Sequence, residues 1–201
     1  MAAEFSSLPF SFLMKEKMPK HEYLDIARLK TLGKPNYFGL GFIQLKLNAV
    51  ERLHFYHPDV MPILDQEEIH DHRYDFSSTV IKGALMNTLY TYESVCFAEY
   101  GLYEVSCKKD DVGKEPAFLG ECMIHRLADF TVETGQTYNL TRDVFHRIEY
   151  PVPTITFLRR EHIFKENARI IKAIDAPSVC PFSKVMDEDE IWEVIEKIIE
   201  S

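Results

Sequence analysis

The chain has 201 residues and a formal net charge of -9; 46% of it is hydrophobic and 27% charged. That length supports one substantial core and is too short for two comfortable domains, and the acidic balance disfavours a nucleic-acid backbone or an anionic membrane as a partner, since either would be bound against the overall field. No apolar run approaches the roughly 20 residues of a membrane span, and Met1-Ala-Ala-Glu-Phe5 does not read as a secretory signal, so a cytoplasmic location is expected. Cys96, Cys107, Cys122 and Cys180 are scattered, with no C-x-x-C pair, and are expected to be reduced structural thiols.

In chain order, residues 1–17 show no clear period and read as an arm. Tyr23, Leu24, Ile26, Ala27 and Leu29 fall at helical spacing, with Pro19 in a tolerated first-turn position and Gly33 as a stop, which predicts a helix over about 19–32. Alternation from Tyr37 to Leu47 predicts one strand, and Glu51–His57 a second, ended by Pro58. Asp59–Glu67 is a loop. Phe76–Ile81 and Leu85–Tyr90 are strands around a turn at Gly83. Ser94–Ser106 continues the series, Lys108–Gly113 is a polar tip, and Phe118–Thr131, Thr137–Leu140 and Thr154–Leu158 complete it. Ala176–Phe182 reads as a linker to a last helix over about 187–200, with Asp187 and Glu190 placed as a capping box and Ile191, Trp192, Val194, Ile195, Ile198 and Ile199 on its apolar side. Many short strands with little helix between them predict a mainly β chain, an antiparallel double-sheet barrel of the jelly-roll kind.

The chemistry concentrates in histidines. His70 and His72 are one residue apart, so on extended backbone both imidazoles face the same side. His146 lies in a row with Val144 and Ile148 that would face inward on a strand. Taken singly, each is read more simply as an edge-strand or core histidine; together, in this glycine and strand context, they point to a divalent metal, with iron, zinc, nickel, manganese and copper all compatible with imidazole. Asp75 has the opposite parity to His72 and is expected to point away unless a bulge turns it. His125, between Met123 and Leu127, reads as a core histidine rather than a fourth ligand. Tyr138 and Glu133 flank the second motif and could shape a pocket mouth.

Ile69-His-Asp-His72, followed by Ile81-Lys-Gly83 and Thr88-Leu-Tyr90, together with Tyr138-Asn and Val144-Phe-His-Arg-Ile148, resembles the paired motifs of the cupin superfamily, most nearly those of cysteine dioxygenase-type thiol dioxygenases. The resemblance covers roughly the middle half of the chain. It implies a single cupin domain over 1–201: a double-stranded β-helix, or jelly-roll barrel, at about 36–160, with an N-terminal and a C-terminal α-helix outside it. It also implies iron(II) held by His70, His72 and His146, with no carboxylate ligand, and dioxygenase chemistry on a small-molecule substrate. An arginine for a substrate carboxylate would fall at Arg52 or Arg73, and Arg52, His54 and Tyr56 share one strand face, so Arg52, Tyr56 and Arg73 are the candidate catalytic residues. The Ser, His and Tyr that such enzymes carry after the second motif are replaced by Thr154, Thr156 and Leu158, so free L-cysteine is expected to be a poor substrate and the true one less polar or differently held. Two other readings stay open: a non-redox cupin of isomerase or hydrolase type, and a non-catalytic small-ligand-binding cupin. A homodimer is also left open.

Overall fold

A computed structural model describes residues 24–58, 60, 69–106, 115–176 and 186–201. The arm over residues 1–17, the Pro19 start of the first helix, the loop before His70 apart from Val60, the Lys108–Gly113 tip and nearly all of the linker lie outside the described residues. The first helix, α1, is Ile26–Leu32 and starts later than expected, because Asp25 has extended backbone and its side chain accepts from the Arg28 N–H at 2.8 Å. A residue that caps a helix in this way cannot also lie inside it.

The strand expected from Tyr37 to Leu47 is a hairpin. Its halves, β1 (Pro35–Phe38) and β2 (Phe42–Lys46), pair antiparallel with Phe38 opposite Phe42. Gly41 closes the turn at φ +87°, a conformation that costs glycine little and other residues more. The alternation in sequence runs through the turn unbroken, which is why it reads as one strand.

The remaining strands are β3 (Glu51–Tyr56), β4 (Ile69–His70), β5 (Tyr74–Lys82), β6 (Ala84–Ser94), β7 (Tyr100–Val105), β8 (Ala117–Glu133), β9 (Thr137–Leu140), β10 (Phe145–Glu149), β11 (Thr154–Ile163) and β12 (Ala168–Ala173), followed by helix α2 (Glu188–Glu200). The series does not close at Leu158: β11 runs five residues further, and β12, unanticipated in the sequence, pairs with both β4 and β7. β12 reads Ala-Arg-Ile-Ile-Lys-Ala, without alternation, and only its neighbours make it a strand.

One sheet has the order β1-β2-β3-β11-β5-β9, and the other closes on itself as β10-β4-β12-β7-β8-β6. Early and late strands interleave in both, as in a jelly roll. The molecule is therefore mainly β with a helix at each end, as the sequence implied. Strand parity divides the apolar residues into separate compartments. Ile43, Leu45, Leu53, Phe55 and Ile155 face the helices and pack with Leu29 of α1 and Ile191, Trp192, Ile195 and Ile198 of α2. Tyr56, Val80, Leu85 and Val132 form a second cluster, and Phe76, Leu140 and Leu158 a third. Ile69, Leu102, Cys122, Phe145 and Ile171 pack on the face of the closed sheet opposite to the one that carries His70 and His146.

α2 keeps the predicted capping box, with Asp187 and Glu190 bonded reciprocally at 2.9 and 3.0 Å. The expectation for His125 is corrected: Met123, His125 and Leu127 face solvent, because the pairing with β7 ends at Cys122 and nothing described covers this face of β8. Cys96 and Cys122 are free thiols, while Cys107 and Cys180 fall outside the described residues. No described helix is long and apolar enough to cross a membrane.

Candidate metal centre

Strand register brings the histidines together. β10 and β4 are antiparallel, and His146 is the Cα partner of His70. β4 ends at His70, so His72 lies just past the strand, but its backbone N–H still bonds to the Arg142 carbonyl at 3.1 Å and keeps the segment beside the approach to β10. The ring centroids of His70 lie 5.0 Å from His72 and 4.8 Å from His146, and those of His72 and His146 are 5.1 Å apart. One ligand-capable nitrogen from each falls within 4.8 Å of the others.

The donor set fits a metal ion on grounds internal to the structure. His146 Nδ1 is 3.1 Å from Asn87 Oδ1. An amide oxygen can only accept, so Nδ1 carries the proton and Nε2 keeps its lone pair. That Nε2 stands 2.9 Å from His72 Nε2. Two nitrogens each about 2.1 Å from one ion and at right angles to each other would be about 3 Å apart. A neutral N–H···N hydrogen bond has the same length, and what separates the two readings is the third imidazole, which converges on the pair from the adjoining strand. Burial, together with the neighbouring His70, holds both His72 and His146 well below the usual histidine range, so these two rings are available in the neutral, metal-binding form near neutral pH.

Among the described residues, no carboxylate joins the cluster. Asp75 accepts from the Arg142 backbone N–H at 2.7 Å, and the Arg142 guanidinium lies 3.6 Å from the same oxygen, which fits the parity reading. Asp71, between the paired histidines, has a fully buried carboxylate that accepts from Arg169 N at 2.7 Å, Arg169 Nε at 2.6 Å and Lys165 Nζ at 2.6 Å. The same two cations reach Asp143, three residues before His146, at 3.3 and 3.4 Å. Lys165 and Arg169 thus tie both histidine-bearing segments to one pair of charges. Asn87 and Asp71 were legible only as a polar residue in an inward row and as the middle residue of His-x-His; their roles depend on partners 59 and 98 residues away.

Arg52, His54 and Tyr56 lie on the inner face of β3, as their parity predicts, and all are buried. His54 Nδ1 is 3.2 Å from the Tyr56 hydroxyl and its Nε2 is 3.0 Å from Gln44 Nε2. Burial, reinforced by Arg52, pushes His54 down to about 3. Across the pairing, Thr154 faces Tyr56, Thr156 faces His54 and Leu158 faces Arg52. A Tyr–His pair therefore lines this wall on the strand next to the one where the thiol dioxygenase resemblance would place it. Arg73 points elsewhere, with Nη1 donating to the Glu166 carbonyl at 3.2 Å. Tyr138 packs edge-on against Phe76 at 6.0 Å, and burial pushes its hydroxyl up to about 12. Glu133 ends β8 at an exposed turn.

The sequence matches no protein-family model and no curated protein. Among solved structures, it is similar to the Drosophila melanogaster CENP-C cupin domain, with 11% identity over 60% of this chain and 70% of that one at a TM-score of 0.30. Fe(II)-HppE with the alternative substrate (S)-1-HPP aligns at 11% identity over 59% of this chain and 49% of its own, about half its length, at a TM-score of 0.33. Hydroquinone 1,2-dioxygenase from Sphingomonas sp. TTNP3, with 4-hydroxybenzoate bound, aligns at 9% identity over 80% of this chain and 89% of its own, at a TM-score of 0.33. Likenesses of this size carry no argument about activity; the fold rests on the strand pairing and the site on its own geometry.

Proposed function

We propose that the chain is a metal-dependent enzyme acting on a small molecule, with His70, His72 and His146 as the ligands of a divalent first-row ion. The observation that carries this reading is the convergence of the three imidazoles, with their ligand nitrogens within 4.8 Å of one another. We propose further that the ion is iron(II) and the reaction a dioxygenation, which the resemblance to thiol dioxygenases and a histidine ligand set with no carboxylate among the described residues support. When bound, such an ion supplies open coordination positions and the one-electron chemistry an oxygenase needs.

The chain's own residues prepare that site. The Asn87 amide fixes the His146 tautomer. Phe76 stands edge-on to His72 at 4.8 Å and, with Leu158 and Leu140, keeps one wall dry. The Tyr56 hydroxyl and His54 Nδ1 share a hydrogen bond within the buried wall, so Tyr56 can hold or pass a proton there without a charged partner.

The test is metal analysis of protein purified without added metal, followed by oxygen uptake. Close to one first-row ion per chain is expected, with most of it lost in His146→Asn and retained in Asp75→Asn. Full occupancy after loss of both His70 and His146 would overturn the metal site. Metal retention without oxygen uptake across a panel of thiols and small acids would overturn the dioxygenase reading and leave a non-redox metalloenzyme.

A further inference from the structure

The end of the barrel wall nearest His72 carries charges that the metal centre does not use. Arg52 is only 9% exposed, its Nε has no hydrogen-bond partner, and Nη1 donates to the Tyr74 hydroxyl at 3.3 Å. Among the described residues no carboxylate pairs with it. Arg160 lies on β11 two residues beyond Leu158, the cross-strand partner of Arg52, and so on the same inner face. Its Nε donates to the Ala49 carbonyl at 2.9 Å, and it too has no carboxylate partner among the described residues. Both guanidinium carbons stand 5.5 Å from the centre of the Tyr74 ring. That ring is 5.7 Å from His72.

Stacking on a tyrosine is a common state for a half-exposed arginine and would account for Arg160 alone. It does not account for Arg52. A buried guanidinium with an unmatched N–H is costly unless something compensates it, and a second cation beside the same ring adds to that cost. The chain has 32 acidic residues, yet no described one pairs with either arginine.

We infer that Arg52, Arg160 and the Tyr74 hydroxyl form a subsite for a doubly charged anionic group on the substrate, a phosphonyl or phosphoryl group or a pair of carboxylates. A single carboxylate would neutralise one of the two cations and leave the other uncompensated. This inference rests on the metal reading, because the histidines are what make the neighbouring space a reaction site. It also revises the expectation of a less polar substrate: the relay strand is apolar at Leu158, but the adjoining wall is cationic.

The test is calorimetric titration of the full chain, metal-loaded and chelator-treated, with methylphosphonate, malonate and acetate. At least one of the two dianions is expected to bind about tenfold or more tightly than acetate in both forms. Arg160→Gln, the less buried change, is expected to reduce that preference to about threefold or less while leaving metal content unchanged; Arg52→Gln should abolish it if the variant folds. Preference for methylphosphonate assigns the phosphonyl form, and preference for malonate the dicarboxylate form. Acetate binding as tightly as both dianions, or a preference that survives Arg160→Gln, would overturn the subsite. Metal uptake without dianion preference defeats this inference alone, and dianion preference without metal uptake defeats the metal reading alone.

Discussion

His54 shows how burial sets a residue's chemistry in this protein. Its ring is enclosed by Gln44, Tyr56 and Phe42, all partners that tolerate a neutral imidazole, with the Arg52 cation opposing a second positive charge. Its folded value of about 3 lies below the unfolded one, so the unfolded chain binds the proton first. The resulting stability is fully present above about pH 6.5 and is lost as pH falls toward 3. At pH 5 the expected loss from this one group is about 2 kcal/mol. Chemical denaturation of the chelator-treated protein at pH 7 and 5 checks it: His54→Gln should show a smaller difference between the two conditions than the parent. An equal difference would mean that His54 is solvated and that the acid sensitivity arises elsewhere.

Among the elements, β4 is two residues long and could not hold two histidines in place by its own hydrogen bonds. Its position comes from β10 on one side and β12 on the other, with Asp71 locking the second contact through Arg169 and Lys165. Asp71→Asn would leave Lys165 and Arg169 only the more distant Asp143 carboxylate and put a buried amide in place of their acceptor, at an expected cost of about 1–3 kcal/mol. Loosening of His70 and His72 should also weaken metal binding by about 10–100-fold. A denaturant melt gives the first quantity and competition with a chelating dye the second. Metal affinity unchanged in a folded variant would show that β10 alone positions the histidines. Gly83, by contrast, is a steric requirement: at φ +80° an added Cβ would lie 2.4 Å from both the Pro153 carbonyl and Thr154 Oγ1, so Gly83→Ala should destabilise by more than about 1 kcal/mol in the same melt.

For the whole molecule, the helices complete the core. Leu53, Phe55 and Ile155 point away from the histidines and are shielded by Ile191, Trp192, Ile195 and Ile198 of α2. Large side chains contribute about 1.5–3 kcal/mol each when fully buried, so losing α2 would remove an amount comparable with the roughly 5–15 kcal/mol that stabilises a typical domain. A chain ending before Asp187 is therefore expected to lose its cooperative thermal transition, followed by circular dichroism. A sharp transition near the parent temperature would show that the barrel is stable without its helical cover.

Local pattern determined much of this protein. Alternation specified most strands, Asp187 and Glu190 specified the start of α2, and the one-residue spacing of His70 and His72 placed both rings on one side, because each of these signals acts within a few residues along the chain. The turn at Gly41 and strand β12 were not legible: the first hides inside an unbroken alternation, and the second has no pattern until β4 and β7 supply its partners. Likewise the outward face of Met123, His125 and Leu127, the Asp71 clamp and the pairing of Arg52 with Arg160 around Tyr74 came only from the tertiary structure. Which face of a strand is covered, and which charges meet, depends on segments as many as 108 residues apart in the sequence, and no local period encodes that.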